Sequence, residues 1–468
     1  MEFLRRKELN NRQVNLALCY VLVIMAILHV MAMGRALATV VSNFKELKSV
    51  IELRNEKIDI KQNIIFEDSN GINIDYDNLT ISGPEESIVN LDGNGRTRLL
   101  MVVKNLQNIW LENLNFIRGS YSNNVNGGAA IILNKKTIIT MKNVSFSNNK
   151  IQNGTAKTRG GAICSYGELN ERNTLIFMEN TNFSDNESTA GYGGAIYALF
   201  SELTFSGGKI EFTGNKSFLD GGAIYTNNSS LTFEKLATFE NNSSRNFGGA
   251  IFALNNVSIE FRDGLRLIEN TTEDARSGAI YMYGLDSKQL VTINIIQDNL
   301  LVPTEFRGNR SGNGRRNVIY MKQHSRLNFI MKKGSVNIFD VVSSSGDVKS
   351  NNILTIGMGV GWFNLEKGGS LENIKVVNGG NLKLAGESRG FNLIDFTNSG
   401  IIRFEILPGG INAKIRANSI TLNAGTVLEI VAIKGQTYRA GESYAILAIE
   451  GNYNTIGGQE HIKLTVLL

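Results

Sequence analysis

Hydrophobic and polar residues alternate along most of this chain in short runs, and each run is broken after four to eight residues. Leu203-Thr204-Phe205, Leu231-Thr232-Phe233 and Val257-Ser258-Ile259-Glu260-Phe261 put apolar side chains on every second position. That period places one face inward and one outward and predicts half-buried β-strands. The same texture holds upstream, in Asn78-Leu79-Thr80-Ile81-Ser82-Gly83, Leu91-Asp92-Gly93-Asn94-Gly95 and Ile109-Trp110-Leu111-Glu112-Asn113-Leu114-Asn115-Phe116. It holds downstream in Ile401-Ile402-Arg403-Phe404-Glu405-Ile406 and Thr426-Val427-Leu428-Glu429-Ile430. The exception is the first 38 residues. Arg5, Arg6, Lys7 and Arg12 precede an almost wholly apolar stretch from Val14 to Met33, and the small-x-small sequence Ala36-Leu37-Ala38 follows. This is the layout of an export signal cleaved after Ala38, and the length of the apolar stretch leaves an uncleaved signal anchor as the alternative.

The breaks between strands are themselves periodic. Gly-Gly-Ala-Ile occurs as Gly160-Gly161-Ala162-Ile163, Gly193-Gly194-Ala195-Ile196, Gly221-Gly222-Ala223-Ile224 and Gly248-Gly249-Ala250-Ile251. Gly127-Gly128-Ala129-Ala130-Ile131 is a variant, and Ser277-Gly278-Ala279-Ile280 and Asn317-Val318-Ile319-Tyr320 are decayed copies. A second element, Phe-x-x-Asn, keeps step with it: Phe146 with Asn149, Phe183 with Asn186, Phe212 with Asn215, Phe239 with Asn242, and Phe306 with Asn309, with Leu267 and Asn270 as a decayed copy. Each unit of about 28 residues therefore reads as three short strands and three turns. It is too short for a four-stranded propeller blade and lacks the helical period of an ankyrin or tetratricopeptide array. No such unit buries its own apolar face, so units must stack. The expectation is an all-β chain folded as a parallel β-helix of about 15 coils, about 70 Å long at the usual strand spacing. In that column Gly-Gly makes a tight turn and lets the next coil approach closely, Ala-Ile begins a strand, Phe fills the core at a corner, and Asn adopts the left-handed turn and stacks into ladders.

Composition agrees. The 468 residues include 48 Gly and 57 Asn, together over a fifth of the chain, and only 3 Pro. Glycine and asparagine accept turn conformations, and here they concentrate at the repeat breaks. Two Cys exclude a disulfide scaffold or a cysteine-rich zinc module, and cleavage after Ala38 leaves Cys164 alone. Cys164 directly follows a Gly-Gly-Ala-Ile copy and reads as a buried structural thiol. The net charge of +5 falls to +2 without the first 38 residues, so the folded part carries no nucleic-acid footprint. Candidate catalytic chemistry is sparse. A β-helix polysaccharide lyase or hydrolase needs clustered carboxylates, for which Asp75, Asp77 and Asp92 are the best local group, with Asp274 and Asp286 beside decayed repeats. All five read more simply as turn and surface residues. The three His include His324 and His461, both isolated, and no Walker loop or calcium nonapeptide occurs. The chain is read as a non-enzyme with no catalytic residue, no metal and no cofactor.

The alternating repeats from about Gly119 to Tyr320 resemble those of the chlamydial polymorphic outer membrane proteins. The resemblance implies a right-handed β-helix passenger exported by the autotransporter route, with an adhesin role in which both repeats take part. It makes the four intact Gly-Gly-Ala-Ile copies and the five Phe-x-x-Asn pairs candidate adhesion motifs, with a host or neighbouring-cell surface molecule as partner. Gly441-Glu442-Ser443-Tyr444-Ala445-Ile446-Leu447 is similar to the last passenger coils of autotransporters generally. Four segments follow: 1–38, signal or anchor; 39–118, first coils; 119–320, repeat coils; 321–468, passenger-like coils. Autotransporters continue into a membrane barrel, but this sequence stops at Leu468. The expected attachment is therefore to the outer membrane through a separate or lost barrel, or through the N-terminal segment. A surface spacer with no partner is the remaining alternative.

Overall fold

Nearly every strand in the computed structural model pairs in parallel with the strand one coil away, and the sequence periods become three stacked ladders. The structure describes residues 38–103, 105–122, 127–152, 158–347, 349, 351–439, 443–455 and 463–467. The export segment, His461 and part of the passenger-like motif at 441–447 lie outside the described residues. The coil that begins at Gly193-Gly194 serves as the pattern. Ile196–Leu199 forms its first face, Ser201–Phe205 its second and Ile210–Thr213 its third, and the short strand Lys216–Ser217 leads back to the next glycine pair. Neighbouring coils align residue for residue. Ile196 pairs with Ile224, Leu203 with Leu231 and Phe212 with Phe239. Among the described residues the third face carries fifteen stacked segments, from Ile64–Ile65 to Lys463–Leu467, which agrees with the coil number expected from the repeat.

The column runs unbroken through the repeat region. Ile109–Ile117 pairs with Ile138–Ser147 on one side of it, and Ile319–Gln323 with Val341–Ser344 on the other. Its interior is a single apolar core filled by the inward residue of each strand. The phenyl rings of Phe116, Phe146, Phe183, Phe212 and Phe239 stack along the axis with centroids 4.6–4.9 Å apart. A second stack, Phe177, Phe205, Phe233 and Phe261, runs beside it at 4.5–4.7 Å. Each buried ring removes enough apolar surface from water to contribute roughly 1.5–3 kcal/mol. At the N-terminal side, helix Phe44–Glu52 lays Phe44, Leu47 and Ile51 onto the first coils, with Asn43 as its N-cap accepting from the Glu46 amide.

The two glycines of each pair do different work. Gly160, Gly193, Gly221 and Gly248 have φ of +65 to +68° and turn the chain into the first face. The second glycine is the point of closest approach between coils. A Cβ on Gly161, Gly194, Gly222 or Gly249 would lie 1.9–2.2 Å from the carbonyl oxygen of the equivalent glycine one coil on.

The asparagine of Phe-x-x-Asn corrects one expectation. It does not take the left-handed turn. The residue before it does: Asn148, Asp185, Gly214, Asn241 and Gly308 have φ of +53 to +75°. Asn149, Asn186, Asn215, Asn242, Asn270 and Asn309 instead point inward and are fully buried. They form the expected ladder, in the interior. Asn215 shows the pattern: its Oδ1 accepts from the backbone N–H and Nδ2 of Asn186, and its Nδ2 donates to Phe183 O and Asn242 Oδ1 at 2.9 Å each. All four hydrogen-bonding positions of a side-chain amide are used, which burial requires. The ladder ends on a carboxylate. Asp340 accepts from the amides of Gly308 and Asn309 and from Asn309 Nδ2.

Past the repeats the coils shorten before lengthening again toward Leu447, thirty-two positions from its partner Ile415. Lys375 pairs with Asp395 only twenty positions on. There, Gly390–Asn398 runs through the first and second faces as one continuous strand, so the corner between them disappears.

Candidate interaction face

Every candidate adhesion residue is inside the column. The Ala and Ile of the four intact Gly-Gly-Ala-Ile copies are fully buried, their glycines are buried at the corner, and the five Phe and five Asn of Phe-x-x-Asn are fully buried. The repeat brings them together as one scaffold and presents none of them at the surface.

The next residue along points outward from the core, although from Ile132 to Tyr281 this row is itself covered. Because side chains alternate across a strand, the position after Ile points away from the core. Met101, Ile132, Cys164, Tyr197, Tyr225, Phe252, Tyr281 and Tyr320 occupy it in register over eight coils. They form a second apolar cluster, separate from the core. From Tyr197 to Tyr320 the rings stack at 5.1–5.4 Å. Burial pushes the phenols of Tyr197, Tyr225 and Tyr281 well above their usual range, so they remain neutral donors. Cys164 is part of this row. Burial drives its thiol up to about 11, which keeps it protonated and unreactive, as its position in the sequence suggested.

A wall stands over the row, formed by the residue before each glycine pair: Arg159, Tyr192, Asp220, Phe247 and Arg276. Tyr192 packs on Tyr225 at 4.7 Å and Phe247 on Tyr281 at 4.4 Å. The guanidinium of Arg159 lies 5.4 Å from the Tyr197 ring, and that of Arg276 lies 4.8 Å from Phe247. The exception is Asp220. It is a short side chain between two aromatic ones, and its Oδ1 accepts from the Phe247 amide at 3.3 Å. The wall opens there into a cavity of about 350 Å³ over Tyr225, Phe252 and Tyr281, bounded by Asp220, Arg276 and Lys322. An aromatic floor with carboxylate and cationic groups at its edge suits a partner with an apolar face and polar substituents. The copies Gly-Gly-Ala-Ile-Tyr and Gly-Gly-Ala-Ile-Phe carried the signal for this face in the aromatic residue that follows each Ile.

The acidic candidates are engaged elsewhere. Asp75 pairs with Arg54 at 3.2 Å, Asp77 accepts from the Gln107 amide, and Asp92 pairs with Arg118. Asp274 pairs with Arg276 at 3.2 Å, and Asp286 accepts from the amides of Lys288 and Gln289. Among the described residues no group of three or more His, Cys, Asp or Glu is placed to hold a metal ion. His324 sits at a left-handed corner, where its carbonyl accepts from the Val291 amide.

Fold and face together define a repeat-built parallel β-helix with one aromatic outer strip. Residues 143–166, 180–199, 209–227 and 237–254 match the Chlamydia polymorphic membrane protein repeat. A relative from Chlamydia pneumoniae, the "Probable outer membrane protein pmp19", is 34% identical over 110 residues, which cover 21% of this chain and 12% of that protein. No solved structure matches the chain.

Proposed function

We propose that this chain is an exported surface protein, held at the outer membrane or displayed beyond it, that works as an adhesin for a molecule on a host or neighbouring cell. The family repeat and the outer-membrane relative support the location. The observation that carries the binding reading is the opening of the aromatic wall at Asp220. In this reading the Gly-Gly-Ala-Ile and Phe-x-x-Asn residues serve adhesion by fixing the coil spacing that holds the outer row in register. Tyr192, Asp220, Phe247, Arg276 and Lys322 make the contacts.

The test is binding of beads coated with the full chain to host or neighbouring cells. Asp220→Phe fills the opening and makes the wall continuous, and Arg276→Ala removes its cation. Each variant is expected to lower bead binding about tenfold, the loss of one good contact, at an unchanged thermal midpoint. Equal binding by the parent and both variants would favour the spacer reading.

A further inference from the structure

The corner between the second and third faces changes character after the repeats. In the repeat coils it carries Lys209, Lys235, Arg262 and Asp263, with only Leu236, half-buried, as an apolar residue. Three successive later coils place there the segments 298–303, 332–334 and 357–361. The first and third carry apolar tips that stand clear of the column: Leu300 is 71% exposed, Leu301 92%, Met358 83% and Val360 77%. The first of these loops is a built finger. Fully buried Gln297 donates to the carbonyls of Asn299 and Val302, and Asn299 Oδ1 accepts from the amides of Leu301 and Val302. This holds the Leu300-Leu301 pair out in water. Between the two apolar loops lie Lys332 and Lys333, each 56% exposed, beside Asp298 at 3.8 and 3.1 Å.

We propose that this corner is a contact site for the surface of an anionic lipid bilayer. Four aliphatic tips that protrude singly offer little surface to a shaped protein pocket. A fluid acyl phase needs no complementary shape and takes up each tip separately. The two ammonium groups outnumber the neighbouring carboxylate and stand between the tips, at the level where lipid phosphates lie once the leucines have entered. The aromatic face plays no part in this contact.

The test uses the full chain carrying Leu301→Trp, with the parent (Trp110 and Trp362) as baseline. Vesicles are phosphatidylcholine with or without phosphatidylserine, with bromine on the acyl chains as quencher. Read as the difference from the parent, whose Trp362 borders the 357–361 loop, the introduced indole reports the 298–303 loop. The expected result is a blue shift and bromine quenching with phosphatidylserine vesicles. The midpoint should move about tenfold or more to higher lipid when Lys332→Gln and Lys333→Gln are added. An indole that stays unshifted and unquenched while the chain sediments with vesicles would overturn the proposal. Equal quenching without phosphatidylserine would overturn the anionic assignment. A blue shift that needs protein concentration and no lipid would identify self-association in its place.

Discussion

Asn215 has fully satisfied hydrogen bonds and no access to water, so its contribution is read best from what its removal leaves behind. Asn215→Ala strands the Asn186 backbone N–H, one Asn186 Nδ2 proton and the Phe183 carbonyl in the core, while Asn242 Oδ1 keeps the backbone N–H of residue 215. With buried unsatisfied groups at about 1–3 kcal/mol each and partial relaxation of the corner, the expected loss is roughly 3–5 kcal/mol, seen as a lower denaturant midpoint. Asp340 is the ladder's one ionisable member. Burial outweighs its three N–H donors and nearby Arg316 and holds its carboxyl above the usual carboxylate range. A carboxyl raised on folding favours the folded state in acid, and that stability is lost as pH rises from its unfolded value near 3.8 through its folded one. The thermal midpoint of Asp340→Asn relative to the parent should therefore move upward as pH is raised from about 4 to neutrality. A constant difference across that range would show that the carboxyl titrates alike in both states.

At the scale of the strand and its turn, the sequence spacing already showed which residues recur, and recurrence located the ladders. It did not show direction. Asn seemed to belong at the left-handed turn because asparagine tolerates that backbone, yet the preceding residue turns and Asn faces in. The backbone preference of Asn was outweighed by the demand of a buried corner for four hydrogen bonds. The outer row was missed for a related reason. The row mixes Met101, Ile132 and Cys164 with four Tyr and a Phe, and only the strand's alternation, not a shared identity, puts all eight on one side. The Phe ladder makes a graded prediction. Phe212→Ala opens a cavity between Phe183 and Phe239 and should cost about 3–5 kcal/mol. Phe212→Leu repeats what Leu267 already does in the same ladder and should cost about a third of that. Chemical denaturation of the two variants decides it, and equal losses would show that the ring stack is not held by packing.

For the whole molecule, fifteen coils at about 4.8 Å give a column of about 70 Å. Small-angle scattering should show a rod with a maximum dimension at or above that length, and a compact sphere would contradict the stacking. Stability in such a column is a sum of neighbour terms. The amide ladder adds a grammar to this sum. Every Asn Oδ1 receives from the coil before. Its backbone N–H and one Nδ2 proton go to the coil after, while the other Nδ2 proton returns to a carbonyl of the coil before. One more Asn-bearing coil of 27 to 29 residues therefore finds the same partners. A fraction of a coil does not fit. Asp340 receives in the same way but has no side-chain N–H to hand on. It acts as punctuation: the chain tolerates any number of asparagine coils before it, and the sentence of identical units closes where the carboxylate stands.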